Sequence, residues 1–131
     1  MALSVVIDAS VAIAFIGRRD LHHAAAYEAI LRLDEPPEIA ATSAIEFLVG
    51  PMRSGGDRLA TARRFLADCR VIAVGEDLAE SAASLRARHP ALSVPDAICI
   101  ALTNFTGASE VWTFDHRWAS VDARVRIPLT P

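Results

Sequence analysis

Lysine is absent from this chain, and all thirteen basic residues are arginine. The absence removes whole chemistries. No P-loop lysine can lie on a phosphate, and no Schiff-base lysine can attack a carbonyl. Arginine forks and bound metal ions remain as the cationic tools. Cysteine is scarce: Cys69 and Cys99 form no CxxC motif and fall at apolar positions of helical patterns, which reads as buried thiols. No run approaches the ~18 apolar residues of a membrane span. The stretch MALSVVIDASVAIAFIG lacks a basic leader and carries Asp8 in its middle, so it is a poor signal peptide. A cytoplasmic protein with no membrane partner is expected. Net charge is −3, so nucleic-acid binding cannot be argued from overall charge and would rest on local arginines.

What is present is enough for one folded domain over residues 1–131. Hydrophobic residues make up 53% and charged residues 22%, which excludes a disordered chain. Short β-branched runs at 3–7, 38–41, 70–74, 110–114 and 124–127 read as strands. Helical patterns lie between them, with starts at Ser10, residue 22, Ser43, Asp57, residue 76 and Ser93. Inward faces are expected at Ile45, Leu48, Val49 and Met52, at Ala62, Phe65, Leu66 and Cys69, and at Ile98, Ala101, Leu102 and Phe105. Pro51 should kink or end its helix. Alternating strands and helices imply an α/β fold with a mostly parallel sheet covered on both faces.

Four acids fall at strand ends or first helical turns: Asp8, Glu46, Asp96 and Asp115. Open α/β sheets place their ligands along that edge. Each acid also has a local structural explanation. Asp8 suits a turn before a helix. Ser43 to Glu46 and Ser93 to Asp96 both match capping boxes, and Asp115 suits a cap after a strand. Capping explains a polar residue at each place. It does not explain an acid at all four. If the four points converge, their repulsion in a partly dry cleft costs several kcal/mol, which a hard cation such as magnesium or manganese offsets.

The segments VVIDAS, TSAIEFL, VPDAICIALT and WTFDHRW stand in this order over nearly the whole chain. As an ordered set they resemble the PIN domain, and within it the VapC toxins of bacterial toxin–antitoxin pairs. The resemblance implies a PIN-like three-layer α/β/α sandwich with a sheet of four to five strands. It also implies a magnesium- or manganese-dependent endoribonuclease that leaves 5′-phosphate and 3′-hydroxyl ends. The family's acidic site maps onto Asp8, Glu46, Asp96 and Asp115, with Ser10 and Thr113 as supporting hydroxyls. Asp8 and Asp96 would be the main metal ligands, Asp115 would complete the shell, and Glu46 would orient or deprotonate the attacking water. Implied partners are an RNA substrate, a cognate antitoxin and a second copy of the chain. Phe114 departs from the polar residue many relatives carry there. His116 reads as a general acid or as a solvated loop histidine. Arg18, Arg19, Arg53 and Arg117 read as phosphate contacts or as solubilising charge.

Two other readings stand beside this one. A phosphotransfer protein would use Asp8 as a nucleophile, but a receiver needs a lysine and a phosphatase needs a second aspartate where Ser10 stands. A non-catalytic PIN-like module that only binds RNA or protein is the other.

Overall fold

A computed structural model of the chain describes residues 2–130. Five strands form one parallel sheet: β1 (Val5–Ile7), β2 (Glu38–Ala40), β3 (Arg70–Ile72), β4 (Glu110–Trp112) and β5 (Val125–Arg126), in the order β3-β2-β1-β4-β5. Val6 lies beside Glu38 on one flank and Val111 on the other, so β1 is central. The chain steps outward from β1 to β3, then crosses to begin again at β4. The order therefore reverses between β1 and β4, where open α/β folds bind ligands.

Six helices cover the sheet: α1 (Ala9–Ile16), α2 (His23–Leu31), α3 (Ala41–Ser54), α4 (Gly56–Ala67), α5 (Glu76–Arg88) and α6 (Val94–Thr106). A short 3-10 helix, His116–Ser120, precedes β5. The pleat of β1 divides the interior. Val6 joins a core with Leu78, Ala82, Ile100, Leu102 and Trp118, while Val5 and Ile7 join another with Val11, Phe47, Ala62 and Phe65. One core thus lies under α5 and α6, the other under α1, α3 and α4. The arrangement is the expected α/β/α sandwich. None of the described helices is long and apolar enough to cross a membrane.

Several local expectations are corrected. Asp8, not Ser10, caps α1: it has extended backbone and its side chain accepts from Ala9 N. α3 begins at Ala41, directly after β2, so Ser43 lies inside the helix and forms no capping box with Glu46. The inward face of α3 is Ser43, Ala44, Phe47 and Pro51. Ile45, Val49 and Met52 are exposed. Pro51 does not stop α3, which runs one turn further to Ser54. Phe105 points outward, although Ile98, Ala101 and Leu102 are buried as expected. The second serine cap holds, for Ser93 Oγ accepts from Asp96 N at 3.2 Å. At the other end of α6, Gly107 takes the left-handed conformation at φ 69° that favours glycine.

Candidate active site

Asp8 occupies the turn from β1 into α1, at the carboxyl edge of the central strand. Its Oδ1 accepts from Ala9 N at 2.8 Å. Its Oδ2 accepts from Ser10 Oγ at 2.8 Å and from Thr113 Oγ1 at 2.9 Å. Thr113 follows β4, so this last bond closes the point where strand order reverses. Each hydroxyl also accepts a backbone N–H: Phe114 N reaches Ser10 Oγ at 3.2 Å, and Asp115 N reaches Thr113 Oγ1 at 3.0 Å. Both hydroxyls are thus committed as donors to Asp8, and they tie the β4 loop to the start of α1.

Glu46 projects from α3 and Asp96 from the first turn of α6. Burial raises the Asp8 carboxyl above its usual range, the two hydroxyls oppose that, and the Asp96 charge adds to it. Glu46 is also raised, by burial first and then by Asp8 and Asp96. Asp8 thus feels the charge of Asp96, and Glu46 feels both. Asp115 differs. Its two oxygens take three bonds from Arg117: N and Nε to Oδ1 at 3.0 Å each, and Nη2 to Oδ2 at 2.6 Å. The guanidinium holds this carboxyl below its usual range. Asp115 joins the others through the Thr113 hydroxyl and through Arg117, whose charge also feels Asp96.

Among the described residues, no three acidic, histidine or cysteine side chains stand close enough to hold one ion by themselves. The donor chemistry suits a hard cation nonetheless. Every candidate ligand is a carboxylate oxygen, and a dispersed set fits an ion that keeps several waters. Zinc, which favours nitrogen and sulfur, is a poorer match. The one thiol nearby, Cys99, is buried with Sγ 3.9 Å from Ile7 O. Burial pushes it well up, and Asp8 and Asp96 push further.

The surroundings place the remaining candidates. Arg18, Arg19 and Glu46 line a groove of about 680 Å³ bounded by α1, α3 and α4, with Phe47, Pro51 and Arg58 on its walls. His116 and Arg53 are exposed. A larger cavity of about 820 Å³ holds none of the four acids. Two features went unread in the sequence. His22 stacks on Phe114, with ring centroids 4.1 Å apart and planes 9° apart, next to the Ser10 contact. The Arg117–Asp115 fork is the other. Its only signal is an arginine two residues past a capping aspartate.

The sequence model of the PIN domain matches residues 5–124. Among solved structures, the chain is similar to a toxin–antitoxin complex from Klebsiella pneumoniae, at 25% identity and a TM-score of 0.80, over 98% of this chain and 100% of that one. It is similar in fold to VapC20 of Mycobacterium tuberculosis, a sarcin–ricin loop cleaving toxin. The values are 21% identity and TM-score 0.80, over 98% and 100% of the two chains. PAE2754 from Pyrobaculum aerophilum matches at 19% identity and TM-score 0.68, over 97% and 90%. No curated protein sequence matches. A match across 120 consecutive positions, on a sheet and helix order that agree, settles the family: this chain belongs to the PIN domain family.

Proposed function

We propose that the protein is a metal-dependent endoribonuclease and the toxin of a bacterial toxin–antitoxin pair. It hydrolyses RNA phosphodiesters to 5′-phosphate and 3′-hydroxyl ends. The observation that supports this reading is the Asp8 carboxylate, held by the Ser10 and Thr113 hydroxyls where the strand order reverses, with the Asp96 charge acting on it and both charges acting on Glu46. Repulsion of this kind is the expected signature of a site made for a cation. Asp8 and Asp96 are the principal ligands for magnesium or manganese, with Glu46 and Asp115 completing the set. A bound divalent ion supplies an activated water and neutralises charge on the attacked phosphate. Ser10 and Thr113 fix the Asp8 carboxylate by donating to one oxygen. Glu46, whose proton affinity is raised, would orient the water or take its proton.

The site is too negative to hold RNA without help, and Arg18, Arg19, Arg53 and Arg117 supply the phosphate contacts. The Klebsiella relative is itself a toxin–antitoxin complex. By analogy a cognate antitoxin covers the groove beside Glu46 and places a basic side chain near the acids. The protein works in the cytoplasm as a homodimer. Asp8→Asn and Asp96→Asn keep shape and lose charge, so each should cut metal-dependent cleavage of RNA by at least ~100-fold. Excess EDTA should do the same to the parent. Expression of the parent should arrest growth, and expression of the Asp8→Asn form should not. Cleavage by the double Asp8→Asn/Asp96→Asn variant, or by the parent in excess EDTA, would exclude the metallonuclease reading. A non-catalytic RNA-binding module is favoured by one observation, the Asp115 carboxylate already neutralised by Arg117. It predicts tight RNA binding without a single metal-stimulated cut.

A further inference from the structure

We propose that Arg117 is a built-in counter-ion that keeps Asp115 out of the metal site until a cation displaces it. The inference rests on the acidic cluster taking a divalent ion. Asp8 holds its bonds from two hydroxyls and one amide, and none of these carries charge. Asp115 alone among the four is held by a cation, and the hold is a full fork across both oxygens. The carboxylate that would complete the set is thus already neutralised. The fork is also weakly anchored. The Arg117 side chain is 79% exposed and Asp115 25%. Exposed pairs contribute little, so a divalent ion can outcompete this one cheaply. Arg117 also feels the charge of Asp96, which lies within electrostatic reach of the fork. Once displaced, the guanidinium stays tethered two residues from Asp115. There its donors are free for a phosphate oxygen.

The test is Mn²⁺ affinity, read from the electron paramagnetic resonance of free Mn²⁺ and independent of cleavage. Parent, Arg117→Ala, Arg117→Lys, Asp115→Asn and the double Asp115→Asn/Arg117→Ala protein are compared, each first shown folded by its melting curve. Arg117→Ala should bind about two- to fivefold tighter, the weight of a well-formed exposed pair. Arg117→Lys keeps the charge without the fork and should gain less. In the Asp115→Asn background the alanine substitution should gain nothing. Unchanged affinity in Arg117→Ala overturns the proposal. So does an equal gain in the Asp115→Asn background, which would mean that Arg117 acts only through space on the other acids. Either result leaves the metal site itself standing if Asp8→Asn still loses Mn²⁺. A folded parent that binds no Mn²⁺ overturns the proposed function as well.

Discussion

At Asp8 one carboxylate does two jobs, and the two separate by substitution. As a cap it needs an oxygen facing Ala9 N, which asparagine also offers, although its amide nitrogen then meets the Ser10 and Thr113 hydroxyls that donate to Oδ2. As a charge it is unwelcome without a cation. Its proton affinity is raised above the unfolded value near 3.8, so the folded state prefers it neutral. The stabilising effect is therefore complete below that value and is lost as pH rises through the folded pKa. At neutral pH the ionised group costs stability. In Asp8→Asn the relief of the buried charge, the larger effect, outweighs the two lost hydroxyl bonds, so the variant should melt no lower than the parent in EDTA. Asp8→Ala should melt lower, by ~0.5–2 kcal/mol of lost cap. The parent should gain stability with Mn²⁺ as RT ln(1 + [L]/Kd), and Asp8→Asn should lose most of that gain. Melting curves with and without Mn²⁺ check all three. Asp122 has the opposite sign. Arg124 grips it from backbone and side chain and holds its carboxyl below the usual range. Stability from that pair is present above pH ~4 and is lost as pH falls through the lowered folded value. Asp122→Asn should thus lower the melting temperature at pH 7 and have progressively less effect toward pH 3.

Among the helices, α3 tests how far a pattern can be read. Ser43 is buried, and its hydroxyl faces only the weakly bonding Cys99 thiol, whereas Ser93 caps α6. Ser93→Ala should cost ~0.5–2 kcal/mol in urea unfolding. Ser43→Ala should be neutral or mildly stabilising, because it removes a poorly paired buried group. Likewise Phe47→Ala should cost ~3–5 kcal/mol, while Ile45→Ser changes little at an exposed position. These contrasts mark the limit of the sequence. Strand positions and helix order were legible because apolar β-branched runs and Gly or Pro breaks are local signals. The facing of α3 was not. Its apolar residues populate two stripes, and only packing against α1, α4 and the sheet selects Phe47 over Ile45. The start of α3 was missed for a related reason: β2 passes into it with no cap residue at all. At the site, the four acids were visible as residues at strand ends or helix starts, and the two hydroxyls as neighbours of Asp8 and Asp115. Their separation into a charged trio and a neutralised fourth was not. That depends on which way the Arg117 side chain turns in the 3-10 helix.

Across the whole molecule, the sheet separates two cores, and the acids belong to both sides. Asp8 and Glu46 rise from α1 and α3, over the core of Phe47 and Phe65. Asp96 rises from α6, over the core of Ile100 and Trp118. Few polar side-chain links join the two layers among the described residues, apart from those reaching Asp8 and Ser10 from the β4 loop. An ion shared by these acids would therefore be a staple between layers as well as a chemical tool. Local opening of one layer against the other would have to break it. Hydrogen–deuterium exchange followed by mass spectrometry should then slow in α1, α3 and α6 together on adding Mg²⁺. Exchange in α2 and α5, which carry none of the acids, should change less. Slowing confined to α1 and α3 would mean that Asp96 takes no part, and that the two halves breathe independently whether or not the protein is loaded.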